Sequence, residues 1–251
     1  PMKILIISDI HGNAEALKAI ISKETPVDHS IFLGDALLSG PQANETMDLI
    51  DELDPTISIM GNHDEEVIHP EHFAHWPEEW IALNEWIIEH LDRNTPEKLA
   101  QFKQPGKYDV DGQSVFLHHG DLDKKEGNAL PSATQETFLK LDRSSGCPLV
   151  FFGHTHVQFS KTIGEQTYIN PGSVGQPRTG KLQACYGVIE DGRYSARQVS
   201  YQPDKWLSAL NAIDPLNSFP KFKDWLKTGL LSGYGIGKND PWTQFAEQGY
   251  N

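Results

Sequence analysis

Lys3–Gly12 reads KILIISDIHG. An unbroken apolar run, Ile4 to Ile7, passes at once into Ser8, Asp9 and His11, and Gly12 closes the segment. A short run of leucine and β-branched side chains bounded by polar and glycine signals is the mark of a buried strand. A carboxylate and an imidazole therefore stand at the carboxyl end of that strand.

The same word recurs four times. Ser30–Leu33 (SIFL) runs into Gly34-Asp35, and Thr56–Met60 (TISIM) into Gly61-Asn62-His63-Asp64. Ser114–His118 (SVFLH) runs into His119-Gly120, and Leu149–Phe152 (LVFF) into Gly153-His154-Thr155-His156. Open α/β sheets bind ligands in the crevice outside the carboxyl ends of their strands, so five strand ends carrying N and O donors are expected to converge on one crevice. Between the strands, Asn13–Lys23 places Ala16, Leu17, Ile20 and Ile21 at helical spacing, and Pro41–Leu53 does the same with Met47, Ile50 and Leu53. Strand–helix alternation implies a sheet covered by helices.

Farther along, residues 65–103 read as a helical excursion that forms a partial cap. It holds Trp76, Trp80 and Trp86, with Trp80, Leu83, Ile87, Ile88 and Leu91 on one stripe. After Gly153, Val157–Ile163, Thr167–Ile169, Cys185–Ile189 and Arg197–Tyr201 have strand character and are expected to form a second, largely antiparallel set. Helical patterning returns with Trp206, Leu207 and Leu210, then Phe222, Trp225 and Leu226. One domain is expected over residues 1–231, followed by a glycine-rich, aromatic tail, 232–251.

With 35 acidic residues against 21 Lys and Arg, the chain carries a formal charge of −14. Long nucleic acids are bound by neutralising phosphates with Lys and Arg, so an acidic chain argues against that partner but not against a small phosphate ester. Cys147 and Cys185 form no CxxC pair, which excludes a disulfide framework and zinc-finger spacing. The first apolar run is too short for a signal peptide or a membrane span, and the expected location is the cytoplasm.

The donors at the five strand ends are imidazole, carboxylate and one amide, with no thiolate. That set suits Mn²⁺, Fe, Zn²⁺, Ni²⁺ or Co²⁺, and one carboxylate can bridge two such ions. Their field would make one cleft of an acidic molecule locally electropositive.

Taken in order, Asp9-x-His11, Gly34-Asp35, Gly61-Asn62-His63-Asp64, His119-Gly120 and Gly153-His154-x-His156 resemble the full signature of the calcineurin-like metallophosphoesterases. The stretch Asn170–Arg178 (NPGSVGQPR) further resembles a bacterial branch of small phosphodiesterases and dinucleoside-tetraphosphate hydrolases. The resemblance spans roughly Met2 to Leu231. It implies a four-layer αββα sandwich of two mixed sheets flanked by helices, with the metal site at the strand carboxyl ends. It implies further that Asp9, His11 and His156 hold one divalent ion and Asn62, His119 and His154 the other, with Asp35 bridging and Mn²⁺ the first choice. His63 would act as general acid or charge stabiliser, with Asp64 orienting its ring, on small phosphodiesters or dinucleoside polyphosphates attacked by a metal-bound hydroxide. Enzymes of the protein-phosphatase branch carry an Arg after Gly-Asp; here Ala36 follows, which weighs against a phosphoprotein phosphatase, while a phosphomonoesterase, which would share the metals, stays as one alternative. A non-catalytic scaffold on the same fold is the other alternative, and the intact ligand positions and His63 weigh against it.

Blander readings apply to several residues. Consecutive strand side chains face opposite sides, so only one of His118 and His119 can reach the site, and the resemblance favours His119. His69, His72 and His75 recur every third residue, but Pro70 and Pro77 disturb a helix there, so they read as solvated loop histidines. Asn13 reads as the cap of the first helix. Arg178 is open between a contact to a substrate phosphate and a surface ion pair. The three tryptophans read as core or lid packing before a base-stacking platform.

Overall fold

A computed structural model describes residues 2–123 and 125–234. The first sheet takes the order β10-β9-β1-β2-β3, from β1 (Lys3–Ile7), β2 (His29–Phe32), β3 (Ile57–Ser58), β9 (Ala184–Glu190) and β10 (Arg193–Val199). The second takes the order β4-β5-β6-β8-β7, from β4 (Gly106–Val110), β5 (Gln113–Leu117), β6 (Leu149–Phe151), β7 (Phe159–Ile163) and β8 (Gln166–Asn170).

Both sheets are mixed, and for the same reason. Each has three parallel strands, β1-β2-β3 along one side of the first and β5-β6-β8 in the middle of the second. Its remaining strands run antiparallel: β9 against β1 and β10 against β9 in the first, β4 against β5 and β7 against β8 in the second. The strands after Gly153 therefore do not form a set of their own, as the sequence reading expected. They are shared out, β7 and β8 to one sheet and β9 and β10 to the other. Strand character is local, whereas the partner of a strand is fixed by long-range pairing.

The pleat of β1 shows how four consecutive apolar residues serve two cores. Ile4 and Ile6 point between the sheets, onto Ile31, Leu117, Phe151 and Ile169. Leu5 and Ile7 point the other way, into a core with Leu17 and Ile20 of α1 (Ala14–Glu24) and Met47 and Ile50 of α2 (Ala43–Leu53). All four are at most 1% exposed, and burying such a side chain stabilises by roughly 1.5–3 kcal/mol. The outer face of the second sheet, with Phe116, Val150 and Phe152, is covered by Phe138 and Leu141 of α6 (Gln135–Leu141). The order of layers is helix, sheet, sheet, helix.

The excursion is helical, as the sequence reading has it. It comprises α3 (Asn62–Ile68), a 3-10 turn at Pro70–Phe73, α4 (Glu78–Glu89) and α5 (Thr95–Leu99). Trp80 packs on Phe222 of the terminal helix α8 (Pro220–Ser232) with ring centroids 4.9 Å apart, and α7 (Asp204–Asn211) precedes that helix. Asn13 caps α1, its Oδ1 accepting the Ala16 N–H at 3.1 Å. The tail beyond residue 234 lies outside the described residues. No helix among the described residues is long and apolar enough to cross a membrane.

Candidate metal centre

Five turns at strand carboxyl ends meet where the two sheets come together. The His154 N–H donates to Asp9 Oδ2 at 3.1 Å, and His119 Nδ1 donates to the Leu33 carbonyl at 2.7 Å, so each sheet holds the other's loop. The approach is close enough to demand glycine at two points. A Cβ on Gly61 would overlap the Asp35 carboxylate, and one on Gly153 would overlap the side chains of Ser8 and Asp9. Asp9, His11, Asp35, His154 and His156 all adopt positive φ, between 49° and 69°. Left-handed backbone is uncommon for residues with a Cβ, and clusters of it mark functional sites where surrounding structure holds the strain.

The side chains fall into two groups whose ligand atoms lie within 4.8 Å of one another: Asp9, His11 and His156, and Asp35, His119 and His154. Three rings are oriented by main-chain carbonyls. His11 Nδ1 donates to Leu38 O, His119 Nδ1 to Leu33 O and His156 Nδ1 to Gln176 O. With the proton on Nδ1, Nε2 is the nitrogen that each ring turns inward, and a cation would take the place of any proton there. The fourth, His154, has its Nδ1 3.0 Å from Asn62 Oδ1. A ring nitrogen tied to a carbonyl while the other faces inward is the usual arrangement of a metal-ligating histidine.

The inward atoms lack ordinary partners. Asp9 Oδ2 accepts from Ser8 Oγ at 2.5 Å and from the His154 N–H, but the buried Oδ1 accepts no hydrogen bond. That oxygen lies 3.3 Å from His156 Nε2, 3.7 Å from His11 Nε2 and 4.0 Å from His119 Nε2. Asp35 Oδ1 accepts the His63 N–H at 2.9 Å, and its Oδ2 faces both groups, 3.1 Å from His119 Nε2 and 3.8 Å from His11 Nε2. A buried polar atom without a partner costs about 1–3 kcal/mol, and a cation would satisfy several of these at once. The donor set fits divalent transition ions.

The electrostatics ask for positive charge. Burial pushes the Asp9 and Asp35 carboxyls up, yet the surrounding imidazoles outweigh it and hold both well below the usual carboxylate range. Burial pushes His119 down, yet Asp35 and Asp9 hold it well above the ordinary histidine value. His154 and His156, where burial prevails, fall to about 3 and about 4 and stay neutral.

Of the pair at 118–119, His119 enters the site and His118 does not. His118 Nδ1 accepts the Gly120 N–H at 2.7 Å, and its ring lines a separate cleft with Leu122, Lys140 and Arg143. Two expectations need correction. Asp64 does not orient His63: its carboxylate accepts the backbone N–H groups of Asp35, Ala36 and Gly61. The partner of His63 is Glu66, whose Oε2 lies 2.6 Å from Nδ1. Adjacent residues on a helix point about 100° apart, whereas those three apart share a face. Arg178 is not the surface residue that the ion-pair reading requires; it is 2% exposed, and its Nε donates to Thr155 O between the two histidines of that turn. Glu66 and the carbonyl of Gln176 went unread in the sequence; only the i, i+3 spacing from His63 could have drawn attention to Glu66.

His69, His72 and His75 lie outside both ligand groups, on and beside the 3-10 turn. Trp76 reaches the site's edge, its ring centroid 5.5 Å from that of His63.

The family model described as calcineurin-like phosphoesterase superfamily domain matches residues 2–191. An uncharacterized protein of Methanocaldococcus jannaschii is 26% identical over 220 residues, covering 80% of this chain and 88% of the relative. The phosphodiesterase YfcE of Escherichia coli (strain K12) is 25% identical over 225 residues, covering 85% of this chain and 100% of the relative. Among solved structures, a metallophosphoesterase from Sphaerobacter thermophilus superposes with a TM-score of 0.65 at 26% identity, covering 92% of this chain and 100% of that one. A hypothetical protein from Pyrococcus horikoshii OT3 shares the fold with a TM-score of 0.76 at 16% identity, covering 93% and 99%.

Proposed function

The chain belongs to the calcineurin-like phosphoesterase superfamily, and we propose from that footing that it hydrolyses small phosphodiesters or dinucleoside polyphosphates at a dinuclear metal centre. It is a phosphoester hydrolase by family, and what we add is the ligand set, the metal and the substrate class. Asp9, His11 and His156 would hold one ion and Asn62, His119 and His154 the other, with Asp35 placed to serve both. Manganese is the first choice. The observation that carries this reading is the inward set of Nε2 atoms, with His11, His119 and His156 each tied at Nδ1 to a carbonyl.

Two divalent ions bound there would supply Lewis acidity to the phosphoryl oxygens and the charge that lets water lose a proton near neutral pH. The chain's own groups do the rest. Asp9 and Asp35 offset part of the cationic charge, and the buried walls keep the local dielectric low, where fixed charges act strongly. His63 stands beside this centre as proton donor or charge stabiliser for the leaving oxygen. Burial alone would lower its pKa, but Asp35 and Glu66 raise it to about 9 in the metal-free protein. The helical excursion 65–103 partly caps the crevice.

A charge of −14 disfavours long nucleic acid as substrate, and Ala36 in place of an Arg disfavours a phosphoprotein. The test is metal content together with turnover of bis(p-nitrophenyl) phosphate with and without Mn²⁺. About two ions per chain and turnover that depends on Mn²⁺ are expected. A protein that binds metal yet hydrolyses neither this ester nor a dinucleoside tetraphosphate would overturn the reading.

A further inference from the structure

We propose that Glu66, which no motif includes, is the positioning residue of His63. The helix α3 starts at Asn62, so His63 and Glu66 stand three residues apart on one face, and Glu66 Oε2 meets Nδ1 at 2.6 Å. The side chains are only 18% and 10% exposed. An exposed pair on the neighbouring turn, His69 and Glu71, sits at 3.5 Å with exposures of 55% and 69%. The difference decides between two readings. A solvated helix pair contributes only ~0.2–0.5 kcal/mol and orients nothing. A short, sheltered, charge-assisted bond fixes the ring's rotation and keeps a proton on Nδ1.

Other contacts close the cradle. The ring of His63 meets Trp76 edge-on at 75° and that of His11 at 71°, each with centroids 5.5 Å apart. With Nδ1 held by Glu66, Nε2 is the nitrogen that can meet a leaving group. Glu66 lies outside both ligand groups, so its carboxylate serves the imidazole.

The consequence for the reaction rests on the hydrolytic reading above; the contact itself does not. When the P–O bond to the leaving group breaks, its electron pair passes to the leaving oxygen, which takes the Nε2 proton of His63. The attacking water forms the new P–O bond and gives its proton to solvent, from which the imidazole is reprotonated. Glu66 neither gives nor takes a proton; it holds the ring in line and stabilises its charge.

The test has two arms. In the metal-free protein, long-range ¹H–¹⁵N spectra of the histidine rings, assigned with His63→Ala, report the proton on Nδ1 of His63. Glu66→Ala should abolish the hydrogen-bonded signature and Glu66→Gln should keep a shifted one. A His63 spectrum indifferent to both variants would overturn the proposal, whether or not the protein hydrolyses anything. In the Mn²⁺-loaded protein, kcat is compared on two diesters. With an alkoxide leaving group Glu66→Ala should lower it about 10²-fold, the scale of general acid catalysis. With nitrophenolate, which needs no proton, it should fall several times less, and Glu66→Gln should recover part of the loss. The double variant His63→Ala/Glu66→Ala should be no slower than His63→Ala, because residues acting as one unit are not additive. Equal losses on both diesters with a lowered Tm would make Glu66 merely structural. Absence of turnover in the wild-type protein would strike the hydrolytic reading and leave the spectra to decide the contact.

Discussion

His11 Nε2 and His156 Nε2 face one another at 3.0 Å. Each ring has its Nδ1 proton committed to a carbonyl, Leu38 O and Gln176 O respectively, so two lone pairs meet beside the buried, unpartnered Asp9 Oδ1. The metal-free protein should therefore be distinctly less stable than the loaded one. Saturation at 1,000 times Kd stabilises by about 4 kcal/mol, which for a chain of this size raises Tm by roughly 10 °C. Calorimetry in EDTA and in excess Mn²⁺ measures it, and coincident transitions would count against cation ligation at this pair.

Asp35 faces both groups through a single oxygen, 3.1 Å from His119 Nε2 and 3.8 Å from His11 Nε2. Asp35→Asn keeps the shape and removes the charge. Metal content should fall from about two ions per chain toward one, and diester turnover by about 10³-fold, because the proposed centre would lose the charge that Asp35 supplies to both groups. Elemental analysis beside a nitrophenyl diester assay reads both quantities. Two ions retained with wild-type turnover would remove Asp35 from the bridge.

How much of this was legible in the sequence depends on how local each signal is. Asp9, Asp35, Asn62, His119 and His154 follow apolar runs directly, so both the strand and the donor at its end could be read off. β4 could not: Gly106–Val110 alternates partly exposed and exposed residues along a sheet edge, and its only fully buried side chain is Val110. The helix α6 is seven residues long and shows just Phe138 and Leu141 to the core, too few to reveal a period. Glu66 was hidden for another reason. Asp64 stands next to His63 in the chain, but adjacency is not contact: three-residue spacing governs which side chains meet on a helix.

Asp64 then acquires a different prediction. Its carboxylate ties Gly61, Asp35 and Ala36 through N–H bonds of 3.0, 2.8 and 2.8 Å, so it fixes the two turns that carry Asp35 and Asn62. Hydrogen bonds to a charged group contribute about 1.5–3 kcal/mol each, and leaving buried donors unpaired adds to the loss. Asp64→Ala should destabilise by roughly 3–5 kcal/mol and lower Tm by about 10 °C, with metal uptake weakened because both turns loosen. A Tm within two degrees or so of wild type would refute this bracing role.

Glu24 offers a test of stability far from the metal centre. It ends α1, is 2% exposed, and accepts from Tyr186 Oη at 2.6 Å on Oε1. Its Oε2 pairs with Lys3 Nζ at 2.8 Å and Arg197 Nη1 at 2.9 Å, fastening the helix to β1, β9 and β10. Burial raises its pKa, but the bonds from Lys3, Tyr186 and Arg197 outweigh that and hold it down at about 2, against 4.5 for a free carboxyl. The folded value lies below the unfolded one, so the folded state is favoured most when both are ionised. The contribution is therefore complete above pH 5 or so and is lost as pH falls toward 2. Glu24→Gln removes it at every pH. Urea midpoints should show the variant weaker than wild type by roughly 1–3 kcal/mol at pH 7, with the gap narrowing steadily as both are titrated to pH 3. Acid-labile groups at the metal centre affect both proteins alike and cancel in the difference, because distant sites are nearly additive. A gap that stays constant between pH 7 and pH 3 would mean that the ionised carboxylate is not what holds this corner together.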